Sequence, residues 1–121
     1  MKRAAMAAAL FAAFSAHAAS NDQYQVRNAA DLVAVCDTQP SAPDYATAVA
    51  FCHGWGAGAA AYHRAITPKG AEFVCTPEPA PKRSKVAADF VAWVKASPER
   101  GKEAAVDALF RYLKETYPCK K

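Results

Sequence analysis

Four cysteines constrain the fold of this chain more than any other feature of its sequence. They are Cys36, Cys52, Cys75 and Cys119, with spacings of 16, 23 and 44 residues. None belongs to a C-x-x-C pair, so the spacing offers no zinc ribbon, no thioredoxin-type redox pair and no haem-attachment motif. What four cysteines do in a chain of 121 residues depends on the compartment in which it folds.

The N-terminus predicts that compartment. Met1-Lys2-Arg3 is positively charged, residues 4–14 are uncharged and apolar, and Ser15-Ala16-His17-Ala18 has small residues where a signal peptidase cuts. This order is typical of a cleaved secretory signal. The apolar run is shorter than the roughly 20 residues that span a bilayer. We therefore predict a signal peptide over residues 1–18, a mature domain over 19–121, and export to the periplasm.

Export favours two disulfide bonds, because an even number of cysteines in a short exported chain usually forms a disulfide framework. Three pairings are possible. We favour Cys52–Cys75 with Cys36–Cys119, since the chain that follows the second helix is long enough to run back to Cys52. In the chain-entropy model, loops of these sizes contribute on the order of 3–4.5 kcal/mol each.

The periodicity of apolar residues predicts an all-α domain with four or five helices, and no segment alternates convincingly as a strand does. The first helix follows Asn28 as its N-cap, with Asp31 in a variant of the capping box. Asp44 and Ser84 are the predicted N-caps of the second and third helices. Pro98 starts the next helix, and Pro118 ends the last. The apolar faces are predicted to hold the following residues: Leu32, Val35, Cys36, Val49, either Phe51 or Cys52, Val86, Phe90, Trp93, Val94, Val106, Leu109, Phe110, Leu113 and Tyr117.

The second helix, predicted over Tyr45–Ala65, has an unusual number of small residues. Its stripe of small residues, predicted to be buried, comprises Ala46, Ala50, Gly54, Ala57 and Ala61. Gly54, Gly56 and Gly58 each cost about 1 kcal/mol relative to Ala in a helix. We expect the close approach of another backbone to offset that cost.

Residues 67–83 form a long, proline-rich connection, with prolines at 68, 77, 79 and 81 and a cysteine at 75. Long connections of this kind in compact domains are often functional. We therefore predict that the charged side chains of Lys69, Glu72, Lys82 and Arg83 contact a partner. An extended segment that merely covers the helices is the structural alternative.

No residue constellation indicates catalysis or a bound cofactor. Cys52 and His53 are adjacent, but a cysteine nucleophile needs a free thiol with its histidine across a cleft. His53 and His63 lie nearly three helical turns apart, too far along one helix to share a metal ion. The net charge of +4 falls by two when Lys2 and Arg3 leave, which is too little to indicate nucleic acid or an anionic membrane. These features favour a non-enzymatic binding protein without a metal, a cofactor or a membrane span.

An ordered set of motifs resembles the Rap/Tai family of immunity proteins. The motifs, which span residues 31–119, are Asp31–Cys36, Tyr45, Cys52-His53-Gly54-Trp55 with Gly58, Phe73–Pro77, Phe90-Val91 with Trp93, Ser97-Pro98-Glu99, Ala104–Val106 and Tyr117-Pro118-Cys119. Trp55 stands where Tyr is commoner, which keeps an aromatic side chain there. Gly54, Trp55, Gly58, Pro77, Pro98 and Pro118 are the structural residues of the motif.

The resemblance implies a small helical periplasmic protein, often a dimer, with intrachain disulfides. It also implies that the protein binds and blocks a peptidoglycan amidase toxin delivered by type VI secretion. The alternative is a periplasmic stress protein resembling the small acid-stress chaperones. That function requires many titrating carboxylates. This chain has 11 acidic residues and 15 basic ones, and two of the basic residues lie in the predicted signal peptide.

Overall fold

Four α-helices make up the domain. The structure, a computed structural model, describes residues 17–120. The helices are α1 (Ala29–Cys36), α2 (Tyr45–Ile66), α3 (Arg83–Lys95) and α4 (Ala105–Thr116), with short 3-10 helices at Gln23–Gln25 and Pro98–Lys102. Over the described residues the only β pairings are two isolated bridges, Asn28 with Ala104 and Val74 with Pro118. The all-α prediction is confirmed. Nearly all of the predicted signal peptide, residues 1–18, lies outside the described residues.

The main hydrophobic core lies between α1, α3 and α4. Leu32 comes from α1, Phe90 and Val94 from α3, and Leu109 and Tyr112 from α4, and all five side chains are buried. Phe90 is 2% exposed and its ring packs edge-on against that of Tyr112. Burial of a residue of this size stabilises the fold by about 1.5–3 kcal/mol relative to its exposure.

The face that α4 buries differs by about one position from the predicted one. Val106 was expected in the core but is 45% exposed, whereas Ala105, Ala108 and Tyr112 are buried. The helix begins at Ala105, where the bridge between Asn28 and Ala104 holds its first turn against the start of α1. That contact turns Ala105 and Ala108 inward and Val106 towards solvent.

The helix caps agree with the sequence in part. The Asn28 side chain accepts a hydrogen bond from the Asp31 backbone N–H at 2.9 Å, as predicted. The Asp31 carboxylate accepts from Arg27 rather than from Asn28, so the capping box is not reciprocal. Asp44 precedes α2 but makes no capping bond, because its carboxylate accepts the Tyr24 hydroxyl at 3.0 Å. Ser84 was expected to cap α3 and instead lies inside it, since the N-cap is Lys82.

Helix α2 leaves most of its surface outside the core. Only Ala48 and Cys52 of its 22 residues are buried. The stripe that was predicted to be buried faces solvent, with Ala46, Ala50, Gly54 and Ala61 exposed and Ala57 half-buried. A Cβ atom built on Gly54, Gly56 or Gly58 meets no described atom within 4 Å. The predicted close approach of another backbone is therefore wrong for residues 17–120.

The disulfides are Cys36–Cys52 and Cys75–Cys119, so the pairing favoured from the sequence is wrong. Helices α1 and α2 pack side by side around Val35, Ala48 and Cys52, which brings the Cα atoms of Cys36 and Cys52 to 5.2 Å. The chain after α2 does not return along that helix. It crosses to the end of α4, where Val74 pairs with Pro118 and places Cys75 beside Cys119.

Candidate partner-binding site

The connection between α2 and α3, residues 67–82, is called the strap below. No residue of the strap is buried, and only three are half-buried. It leaves α2 through Thr67, whose hydroxyl lies 3.2 Å from Nδ1 of His63. A turn follows in which the Ala71 N–H donates to the Pro68 carbonyl at 3.0 Å. Gly70 has a φ of 87° in this turn, a conformation that favours glycine.

A second attachment holds the middle of the strap. The Cys75 N–H donates to the Tyr117 carbonyl at 2.9 Å, next to the disulfide to Cys119. The Phe73 ring packs against the rings of His63 and Phe110, with centroid distances of 4.4 and 6.0 Å. The strap is thus fixed at Thr67, Phe73 and Cys75. Its backbone is held at these residues, while most of its side chains face solvent.

The four predicted partner-binding residues do not lie together on the strap. Lys69 and Glu72 belong to its first turn, where the Glu72 carboxylate accepts from the Gly70 N–H at 2.7 Å. Lys82 and Arg83 lie at the other end, as the N-cap and first residue of α3. All four side chains are exposed, and within residues 17–120 none of them forms an ion pair. They are available for contact at two separate places.

A groove of about 360 Å³ lies beneath the strap, between α2 on one side and α3 and α4 on the other. Apolar side chains form most of its walls: Trp55 from α2, Phe90 from α3, Leu109 and Leu113 from α4, and Val74 from the strap. The groove was not predicted from the sequence. The signal that could have indicated it is the set of small residues Gly56, Ala57 and Ala60, which line it from α2 and are too short to fill it.

The charged side chains along the groove are basic, and two histidines lie beside them. His53, His63, Arg64 and Arg83 line it, and no carboxylate does. Nε2 of His63 is buried and has no hydrogen-bond partner among the described residues. His53 is half-buried at this groove.

The structural motif residues lie in different parts of the fold. Trp55 is half-buried against the main core, whereas Gly54 and Gly58 lie on the exposed face of α2. Pro77 is exposed on the strap. Pro98 begins the second 3-10 helix, and Pro118 forms the bridge to Val74.

The described residues contain no group of three His, Cys, Asp or Glu side chains arranged to hold a metal ion. Cys52 is oxidised, so the Cys52-His53 pair has no thiolate to act as a nucleophile. None of the helices between residues 17 and 120 combines the length and the apolar character that crossing a membrane requires.

Comparison with known proteins identifies the family. The model of the Rap1a immunity proteins matches residues 28–119, which include all four helices, the strap and both disulfides. No curated protein and no solved structure matches the chain. The match agrees with the resemblance to the Rap/Tai immunity proteins that the ordered cysteine, glycine and proline motifs carry. This chain belongs to the Rap1a immunity protein family.

Proposed function

We propose that this protein protects the periplasm by binding and blocking a peptidoglycan amidase toxin delivered by type VI secretion. The match of the immunity-protein model to residues 28–119 is the observation that carries the proposal. Protection of this kind needs only occlusion of the toxin, so it requires no catalytic residue in the inhibitor. The exposed strap, whose backbone is already fixed, is the element that we assign to the toxin.

Preorganisation supports this assignment. A loop that is flexible when free loses conformational entropy on binding, at about 0.5–1.5 kcal/mol for each long side chain immobilised. The disulfide to Cys119 already restrains the strap near its middle. Pro77, Pro79 and Pro81 fix φ on the following stretch. Lys69 and Glu72 would contact one part of the toxin, and Lys82 and Arg83 another.

The periplasmic location follows from the same proposal. The predicted signal peptide over residues 1–18 would be removed, leaving residues 19–121. Disulfides persist in oxidising compartments such as the periplasm, and both disulfides here lie within the family match. The location is tested by cell fractionation with mass spectrometry of the N-terminus, which should begin at Ala19.

The binding experiment uses the processed protein and an amidase encoded beside its gene. We expect a complex with nanomolar or lower Kd, inhibition of peptidoglycan cleavage, and survival of cells that receive the amidase in their periplasm. The alternative, a stress chaperone, would instead suppress aggregation of many unfolded proteins at low pH. Chaperone activity without protection from any neighbouring amidase would contradict the immunity proposal.

Charge reversal tests the role of the strap. Lys82→Glu/Arg83→Glu places acidic residues at the N-terminus of α3, where the helix dipole favours negative charge, so the variant should remain folded. We expect its toxin affinity to fall at least about tenfold, or 1.4 kcal/mol. Lys95→Glu/Lys102→Glu is the matched control, since it makes the same charge change at exposed residues at and beyond the far end of α3. Equal affinity of the two variants would remove the junction of the strap with α3 from the interface.

We further propose that the protein acts as a homodimer, as the family resemblance implies. The outer end of α2 offers uncharged area for self-association, because Tyr62 is 67% and Ile66 60% exposed. Light scattering should give twice the monomer mass, and Ile66→Glu should give the monomer mass. A wild-type protein that is monomeric at all concentrations would contradict this part of the proposal.

A further inference from the structure

The groove beneath the strap has the size and lining of a small-molecule site. Its volume of about 360 Å³ falls within the roughly 300–1,000 Å³ typical of ligand pockets. Helix α2 runs past α4 without closing on it, and Ala57 and Ala60 are too short to fill the space.

The electrostatics of the groove select the charge of an occupant. Two arginines and two histidines line it, and no carboxylate does. They are Arg64, Arg83, His53 and His63. Arg64 and Arg83 are exposed residues, so solvent screens part of their attraction for an anion, but the sign of the charge along the groove still favours an anionic group. An occupant with an apolar body and one negative group matches this combination.

The hydrogen bonding of His63, which lines the groove, is incomplete. Its Nδ1 atom lies 3.2 Å from the Thr67 hydroxyl, while Nε2 is buried without a partner. If the hydroxyl donates to Nδ1, then Nε2 carries the hydrogen and is a free donor. A buried donor without an acceptor is unfavourable, and Nε2 reaches a carboxylate in the groove only when the ring of His63 turns towards it.

From these observations we propose that the groove binds a single-chain amphipathic carboxylate, of which a medium-chain fatty acid is the simplest example. The alkyl chain lies against Phe90, Leu109 and Leu113. The carboxylate pairs with the guanidinium of Arg64 or of Arg83, both of which line the groove. Because Val74, Thr76 and Pro81 of the strap also line the groove, a bound ligand joins the strap to the core and restrains it further. The proposal does not depend on the toxin.

The test is a titration of the processed protein with decanoate below its micelle-forming concentration, followed by calorimetry and by tryptophan fluorescence. Trp55 lines the groove and serves as a reporter. We expect saturable binding at one site with a blue shift of the emission. Decanol, which has the same chain without the charge, should bind at least about tenfold more weakly.

Two pairs of variants keep the outcome decisive. Ala60→Leu fills the groove, whereas Ala61→Leu makes the same change on the exposed side of the same helix. We expect about a tenfold loss of decanoate affinity for Ala60→Leu and none for Ala61→Leu. Arg64→Gln/Arg83→Gln should weaken decanoate about tenfold and leave decanol unchanged, while Lys114→Gln/Lys120→Gln should affect neither ligand.

Three results would overturn the proposal. They are the absence of saturable decanoate binding, equal binding by the two alanine variants, and equal affinity for decanoate and decanol. Binding of an acidic peptide in place of decanoate would assign the groove to a protein segment and would likewise overturn it. Loss of toxin binding with intact decanoate binding would refute only the proposed immunity function.

Discussion

The inner part of the molecule and its outer part are held together by different means. The inner part, formed by α1, α3 and α4, buries a continuous set of apolar side chains around Phe90. The outer part, formed by the second half of α2 and the strap, contains no buried residue beyond Cys52. It depends on the disulfide Cys75–Cys119, a few hydrogen bonds and the ring contacts of His63, Phe73 and Phe110.

This difference shows how a small exported domain can combine rigidity with an accessible surface. Burial gives the inner part its stability, because the hydrophobic contribution scales with the apolar area removed from water. A covalent bond fixes the outer part without hiding its side chains. The surface proposed to meet a partner therefore stays exposed while its backbone is restrained. Four experiments test the contrast, starting with the one expected to have the largest effect.

The largest difference is expected between two phenylalanines. Phe90→Ala removes a side chain that is 2% exposed and should lower the free energy of unfolding by about 3–5 kcal/mol. Phe73→Ala, on the strap, removes one that is 39% exposed and should cost less than about 1.5 kcal/mol. Urea denaturation measures both, and Phe90→Leu provides a milder variant if Phe90→Ala does not fold. Similar losses for Phe73→Ala and Phe90→Ala would contradict the division into two parts.

The two disulfides give the next test. Chain entropy alone predicts that the 44-residue loop of Cys75–Cys119 contributes more than the 16-residue loop of Cys36–Cys52, about 4 against about 3 kcal/mol. We expect the reverse order for Cys75→Ala/Cys119→Ala and Cys36→Ala/Cys52→Ala. Without its disulfide the strap gains freedom in the folded state too, which offsets part of the loss.

Denaturation together with hydrogen exchange distinguishes these outcomes. The Cys75→Ala/Cys119→Ala variant should exchange faster throughout the strap, while amides of α1 and α3 keep most of their protection. A larger global loss for this variant, with no change in exchange along the strap, would show that the outer part unfolds only with the whole domain.

At alkaline pH, the buried tyrosine of α4 should affect the free energy of unfolding. Burial raises the pKa of Tyr112 from 10.0 to about 12. Between these values the unfolded chain releases a proton that the folded chain retains. The contribution of Tyr112 to the free energy of unfolding is therefore complete below pH 10 and is lost as the pH rises towards 12.

Replacing Tyr112 by Phe should flatten the fall of stability above pH 10, as measured by urea denaturation at a series of pH values. Tyr62→Phe is the matched control, because Tyr62 is 67% exposed on the outer part of α2. It should leave the pH profile unchanged. An identical profile for Tyr112→Phe and the wild type would contradict the assignment.

The smallest effects are expected at the glycines of the outer part. Gly54→Ala and Gly58→Ala lie on an exposed helical face with no described atom within 4 Å of the new Cβ. Each should raise the free energy of unfolding by about 0.5–1 kcal/mol, since alanine favours the helix. Gly70→Ala, at a φ of 87°, should lower it. Destabilisation by Gly54→Ala in the monomer would mean that another backbone does approach this face.

Local patterns allowed much of the fold to be predicted. These patterns depend only on neighbours a few residues away. They are the pair Asn28 and Asp31, the prolines at the helix boundaries, and the spacing of apolar residues such as Leu32, Val35, Phe90 and Leu109. The helix bounds and most core positions were therefore accessible. Val106 and Ser84 were misplaced because the exact first residue of each helix is set by contacts elsewhere, such as the bridge between Asn28 and Ala104.

The candidate site was less predictable. Its strap was evident from length, prolines and charges, and the prediction that Lys69, Glu72, Lys82 and Arg83 bind a partner remains a prediction. The groove was not evident, because it is bounded by residues from all four helices and from the strap, which lie far apart in the sequence. The small residues of α2 were assigned to the wrong environment for a related reason, since small side chains occur both at tight contacts and on open faces.

The sequence by itself determined that this is a helical domain with two disulfides and the motif order of an immunity family, because periodicity, caps and ordered motifs are local properties. Only the tertiary structure decided which cysteines pair, which face of α2 is buried and where the groove lies. Four cysteines allow three pairings in the sequence. The choice among them comes from two long-range contacts, α1 against α2 and the strap against the end of α4, and no local preference specifies either.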